Sequence, residues 1–228
     1  MKDTMQTQDT EIKPLPPLYS RAEENMNFIT HAIGSVFGLF VLIFCVVISV
    51  MRGGALCVTA SAVYGSSMIA LYTMSAVYHG LPPGKAKRVF RVLDHCTIYF
   101  LIAGTYTPVL LGPVRLISPA AAYSLLSVEW GVAAVAAVFT AIDLKKYAVL
   151  SMAAYLILGW GVLAILPVVI RAAGINCFIL LLVGGASYTV GSVLYGLGKK
   201  RKFMHSVFHI FCLLGSLFQF LSIALYCL

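Results

Sequence analysis

Long apolar stretches separated by short polar breaks dominate the pattern of this chain. A helix that spans the hydrocarbon core of a bilayer needs about 20 such residues. The breaks contain glycine, proline or charged residues, as at Pro82-Pro83-Gly84 and Gly112-Pro113. We therefore predict an all-α membrane protein with seven transmembrane helices, at residues 28–51, 55–78, about 96–111 entered from Asp94, 119–142, 148–170, 175–195 and 204–228.

The composition supports a membrane protein over a soluble one. Hydrophobic residues make up 61% of the 228 positions and charged residues only 11%, more apolar surface than a soluble domain of this size can bury. The first twenty residues are polar and rich in proline, without the apolar core of a signal peptide. We expect a flexible cytoplasmic tail at residues 1–20, followed by a transmembrane domain at residues 21–228.

Basic residues alternate between the two sides of the predicted bundle. Of the 16 lysines and arginines, 13 lie in the tail and in the loops after the second, fourth and sixth helices. The other three are Arg52, Arg115 and Arg171. The positive-inside rule therefore predicts a cytoplasmic N-terminus and an extracytoplasmic C-terminus. Topology explains the net charge of +8, so no nucleic-acid partner is expected. The sequence has no visible internal repeat, which argues against a transporter built from inverted halves.

The cysteines do not indicate a disulfide framework. They are scattered through apolar segments without a CxxC pair, and we interpret them as small buried hydrophobic residues. The six are Cys45, Cys57, Cys96, Cys177, Cys212 and Cys227.

All five histidines lie at predicted cytoplasmic helix ends. His205 and His209 are four residues apart, so on a helix they project from one face and can share a metal ion. His79 lies at the same depth on another helix, and three histidines with an open position are typical of a catalytic zinc site. An HxxxH spacing also arises by chance. His31 and His95 are interpreted as interfacial polar side chains.

Other polar residues near this depth allow two interpretations each. Asp94 can orient a metal-bound water or act as a general base, or it can cap a helix. Ser75, four residues before His79, can reach the same centre or bond to its own helix backbone. Glu24 and Asn27 fall on one helical face with His31. The two cysteines Cys96 and Cys212 are weaker candidate ligands. Glu129 is an acid in the middle of a predicted helix.

Four motifs, in order along the chain, resemble those of the hemolysin III family, which belongs with the progestin and adiponectin receptors. They are Glu24-Asn-Met-Asn-Phe-Ile-Thr-His-Ala-Ile-Gly34, Ser75-Ala-Val-Tyr-His79, Arg91-Val-Leu-Asp-His-Cys-Thr-Ile-Tyr-Phe-Leu-Ile-Ala-Gly-Thr-Tyr-Thr-Pro108 and His205-Ser-Val-Phe-His209. The resemblance extends from about Ser20 to the end of the chain.

This resemblance implies a zinc ion near the cytoplasmic side of a seven-helix bundle. Its ligands would be His79, His205 and His209, with Asp94 in contact through water and Ser75 beside it. The wider superfamily includes alkaline ceramidases, which implies a zinc-dependent hydrolase that acts on a lipid amide or ester. The alternatives are a non-catalytic receptor or sensor with structural or regulatory zinc and, less favoured, a pore. The expected location is the plasma membrane of a bacterium, the inner membrane.

Overall fold

The computed structural model describes residues 19–198 and 201–228, and the regular structure in this part of the chain is helical. Most of the predicted tail, residues 1–18, lies outside the described residues. The helices are α1 (Arg21–Arg52), α2 (Ala55–Gly80), α3 (Lys85–Val109), α4 (Pro119–Ile142), α5 (Ala148–Gly159), α6 (Leu166–Leu197) and α7 (Met204–Tyr226).

Local sequence signals fix where α1 and α4 begin. The Ser20 hydroxyl accepts a hydrogen bond from the Glu23 backbone N–H, and the Glu23 carboxylate accepts one from the Ser20 N–H. This capping box satisfies backbone donors that lack a partner in the first turn. At the start of α4 the Ser118 hydroxyl accepts a hydrogen bond from the Ala121 N–H, and Pro119 occupies the first helical position, where its missing N–H costs nothing.

Six helical segments in the described part of the chain are long and apolar enough to cross a membrane. The predicted fifth and sixth helices fall within one of them, Ala148–Leu197, of 50 residues. A 3₁₀ turn at Gly161–Ile165 interrupts this segment, and so does Gly174, whose φ of 85° lies in the left-handed region. The count of seven crossings and the orientation of the termini stay predictions.

Two details of the third predicted helix are wrong. The helix begins at Lys85 rather than near Asp94. The apolar pattern missed its first turns because they are basic and amphipathic. Asp94 therefore lies in the helix interior and is not a cap. Gly112 has non-helical torsion angles, as the predicted break requires, yet a π-helical turn at Leu110–Val114 leads into a further helical turn that ends at Ile117.

The helices pack so that α1 lies between α2 and α7. In addition α2 packs on α3, α3 on α4, and α6 on α7, while α5 contacts α4 and α3. The seam between α1 and α2 is close: a Cβ added at Gly65 would lie 2.5 Å from the Leu42 Cα atom. Apolar side chains of α1 such as Val36 point outward and are exposed, as expected for a surface that faces lipid.

Candidate metal centre

Three histidines converge at one end of the bundle. His79 lies in the last turn of α2, and His205 and His209 occupy successive turns at the start of α7. The His205 Nε2 atom lies 3.2 Å from His79 Nε2 and 3.0 Å from His209 Nε2. All three residues offer ligand atoms within 4.8 Å of one another, so the cluster could hold a metal ion.

Two hydrogen bonds determine how these rings are protonated. The Glu24 carboxylate lies 2.6 Å from His79 Nδ1 and can only accept, so that nitrogen carries the proton. The Thr30 hydroxyl is directed at backbone carbonyls of its own helix, so its oxygen is left to accept from His209 Nδ1, 3.1 Å away. Both rings therefore present the lone pair of Nε2 to the centre of the cluster.

The distances from His205 Nε2 to the other two Nε2 atoms suit a tetrahedral divalent ion. With Zn–N bonds of about 2.0–2.1 Å, two ligand nitrogens at a tetrahedral angle lie about 3.3–3.4 Å apart, close to the 3.2 and 3.0 Å found here. His205 Nδ1 has no hydrogen-bond partner among the described residues, so Nε2 of this ring can carry the proton and donate to the other two Nε2 atoms. A bound cation would take the place of that proton. Imidazole ligands suit zinc, copper, iron and nickel, and a three-histidine set leaves a coordination position for water or substrate.

Lys87 joins the site to the neighbouring helix ends. Its ammonium lies 3.0 Å from the second Glu24 oxygen and also donates to the carbonyls of Tyr78 and Leu81, at 2.9 and 3.0 Å. It therefore holds Glu24 beside His79 and satisfies carbonyls left open at the end of α2. Sequence reasoning missed Lys87, and its only signal was a basic residue shortly after a helix stop.

Asp94 and Ser75 are two further polar residues near the cluster. Both are buried, and the Asp94 carboxylate faces the Ser75 hydroxyl and lies within electrostatic range of His79. The Ser75 hydroxyl makes no hydrogen bond to its own helix backbone, so that interpretation is wrong. Asp94 Oδ2 is 3.7 Å from His95 Nδ1, which in turn lies 2.8 Å from the Arg91 carbonyl.

The two remaining histidines differ in position. His31 stacks on His209 with ring centroids 3.5 Å apart, meets the edge of Tyr72, and has no hydrogen-bond partner for either ring nitrogen among the described residues. It is therefore a buried part of the cluster wall, not the interfacial side chain expected. His95 is partly exposed on α3 and does not join the three converging rings.

Other candidates from the sequence do not join the three histidines. Glu129 is buried in the middle of α4, with its carboxylate against Gly161 in the 3₁₀ turn. The Cys96 thiol faces the Ala137 carbonyl at 3.5 Å. Neither cysteine considered as a ligand, Cys96 or Cys212, belongs to the group that could hold a metal ion in the described part of the chain.

Two tyrosines that sequence reasoning missed enclose His205. The ring of Tyr19 stacks on the imidazole with centroids 5.0 Å apart, and Tyr195 packs against it at the same distance. The hydroxyls of the two tyrosines are 3.2 Å apart. The chain just before α1 therefore covers the cluster.

Comparisons with known proteins agree on one family. A sequence profile described as Haemolysin-III related matches residues 19–220. The chain is 35% identical over 211 residues to the Hemolysin-3 homolog of Bacillus subtilis (strain 168), covering 92% of this chain and 97% of that protein. It is 37% identical over 207 residues to Hemolysin-3 of Bacillus cereus, covering 90% and 92%. A more distant relative, 27% identical over 154 residues, is the human Monocyte to macrophage differentiation factor, with 65% and 62% covered.

Proposed function

The chain belongs to the haemolysin-III related family of multi-pass membrane proteins, and its location is consistent with the bacterial inner membrane. On that premise we propose that it is a zinc-dependent hydrolase of a lipid amide or ester. One observation carries the proposal. The three Nε2 atoms of His79, His205 and His209 converge, and hydrogen bonds to Nδ1 in two of the rings turn the lone pairs inward.

The proposed topology has seven crossings with the N-terminus in the cytoplasm. A straight helix of 50 residues would be about 75 Å long, more than twice the hydrocarbon core of about 30 Å. Reversal at Gly174 divides Ala148–Leu197 into two crossings and agrees with the alternation of basic loops. The histidines then lie near the cytoplasmic face. Reporter domains fused after Leu228 should be active outside the cell, and cytoplasmic activity there would refute the arrangement.

The proposed reaction uses side chains that adjoin the histidines. A zinc ion held there would polarise the substrate carbonyl and lower the pKa of water toward about 7. Asp94 takes a proton from the attacking water, and the Ser75 hydroxyl donates to the carbonyl oxygen. The water oxygen bonds to the carbonyl carbon, the bond to nitrogen or the alkoxy oxygen breaks, and Asp94 returns the proton to the amine or alcohol.

A second candidate function is a receptor or sensor that binds zinc without turnover. The packing of Tyr19 and Tyr195 on His205, and of His31 on His209, favours it, because these rings enclose the cluster. The three-ligand set favours catalysis instead, since structural zinc sites are almost always filled by four protein ligands.

The first test is metal content by mass spectrometry of the full-length protein, purified in detergent without chelators. We expect about one zinc per chain, lost in His79→Ala and His205→Ala and kept in the control His95→Ala. The zinc-loaded protein is then offered a panel of lipid amides and esters beside Asp94→Asn and Ser75→Ala. Zinc retention with loss of cleavage in both variants supports the hydrolase. Zinc binding without cleavage by wild type supports the sensor, and absence of zinc in wild type refutes both.

A further inference from the structure

Two thiols from distant segments meet at the opposite end of the bundle from the histidines. Cys177 follows Gly174 in α6, and Cys227 lies one residue beyond the end of α7. Their sulfur atoms are 3.9 Å apart. Since His209 precedes Cys227 by 18 residues of nearly continuous helix, the thiol pair lies about 27 Å along the α7 axis from the histidine cluster.

Ser222 holds one of the two thiols in place. Its hydroxyl donates to the Cys177 carbonyl at 2.9 Å and lies 3.2 Å from the Cys177 sulfur. The Cys227 sulfur rests 3.9 Å from the Ser222 carbonyl. Cys227 follows the last helical residue, Tyr226, where a helix frays most easily. One sulfur is thus fixed by its neighbours, while the other lies on backbone that can adjust.

We propose that Cys177 and Cys227 are a redox-active pair that closes a disulfide bond. The sulfurs must approach from 3.9 Å to about 2.05 Å. The thiolate of one cysteine attacks a low-molecular-weight disulfide such as oxidised glutathione and forms a mixed disulfide, with release of one glutathione thiol. The sulfur of the other cysteine, having lost its proton, then displaces the second glutathione thiol. The protein loses two electrons and two protons, and the oxidant gains both.

The proposed orientation gives this pair an oxidising environment. With the C-terminus outside, both thiols lie near the extracytoplasmic face, where disulfides form and persist. The bond would join the end of α7 to the segment after Gly174 and close a loop of 50 residues. This inference depends on the proposed topology and is independent of the proposed catalysis.

The test counts thiols in the full-length protein purified in detergent. After equilibration with oxidised or reduced glutathione, the denatured protein is labelled with a polyethylene-glycol maleimide and separated by size. Wild type should lose two of its six thiols in the oxidised buffer. Cys177→Ser and Cys227→Ser should each prevent the loss of two thiols; at most the remaining cysteine of the pair is capped as a glutathione mixed disulfide, a loss of one. The control Cys96→Ser, at the other end of the bundle, should still lose two. A tryptic fragment linking the two cysteines identifies the bond.

Several results would overturn the inference. All six thiols of wild type could stay reactive in oxidised glutathione, or two thiols could still be lost in Cys177→Ser. Circular dichroism and zinc content, measured on each variant, show whether a serine variant is folded, and the linked fragment from wild type stands without any variant. Rapid alkylation of whole cells measures the state of the pair before purification. A pair that oxidises after purification yet is fully reduced in cells contradicts the extracytoplasmic placement, and this result does not depend on the lipid assays.

Discussion

Replacing Glu24 with glutamine tests whether this carboxylate orients the metal-binding face of His79. Glutamine has the same shape, and its amide oxygen can still accept the His79 Nδ1 proton. It lacks the negative charge that stabilises the imidazole when the opposite nitrogen binds a cation. It also leaves the ammonium of Lys87, 3.0 Å from the carboxylate, without its ion-pair partner.

The size of the effect follows from the hydrogen bond itself. A hydrogen bond to a charged group is about twice as strong as a neutral one, and the neutral bond contributes about 1 kcal/mol. Mutation of such an outer partner of a metal ligand typically costs about 10–100-fold in affinity. Because glutamine keeps the neutral bond, we expect a loss near tenfold for Glu24→Gln, equivalent to about 1.4 kcal/mol. Glu24→Ala should lose more, since Nδ1 is left without an acceptor.

The assay is competition for zinc between the purified protein and a chromogenic chelator. Glu23→Gln is the matched control, because the adjacent glutamate caps α1 and accepts from the Phe203 N–H without contacting a histidine. Its zinc affinity should equal that of wild type, while thermal unfolding of the metal-free protein reports any loss of helix stability. Wild-type affinity in Glu24→Gln would refute the orienting role, and so would an equal loss of affinity in Glu23→Gln.

Two further predictions use conservative pairs of variants. Thr30→Val should weaken zinc binding about tenfold in the same competition, because it removes the acceptor for His209 Nδ1. Thr30→Ser keeps that oxygen and should bind zinc like wild type. Equal loss of affinity in both variants would contradict the proposed tautomer of His209. Gly161→Ala should lower the free energy of unfolding by about 1–3 kcal/mol, since the new Cβ would meet the Glu129 carboxylate. Gly131→Ala, which meets open space, should not, and denaturation in detergent compares the two; equal stability would show that the carboxylate moves aside.

The helices could be predicted where their residues face lipid rather than water. Lipid demands long apolar stretches, and the breaks before Ala55 and Met204 follow directly from that demand. The same test fails at the start of α3, since residues 85–93 are helical but basic, and apolar length detects burial in lipid rather than helix formation. At Gly174 the sequence pattern indicates a break, and the backbone torsion angles there are non-helical. These angles alone do not establish whether the segment crosses the membrane once or twice.

The three histidines could be predicted together because helical spacing and depth in the membrane both constrain them. Their hydrogen-bond partners could not, since these depend on how each helix is rotated and how closely it packs. Sequence spacing placed Glu24 on one face of α1, but nothing local shows that it meets His79. The contact between Cys177 and Cys227 was missed for the same reason: 50 residues separate them, and only the packing of α6 on α7 brings them together.

The position of α1 explains how three histidines divided between two helices could act as one metal site. Because α1 packs between α2 and α7, one of its faces can reach histidines on both. Glu24 reaches His79 on α2, and Thr30 reaches His209 on α7, so each neighbouring helix has one ring whose tautomer is fixed by α1. The helix without a metal ligand thus aligns the lone pairs from both sides, and a change in its rotation would alter both ligands together. Metal affinity should therefore be sensitive to substitutions on α1 that touch no ligand atom but shift the helix.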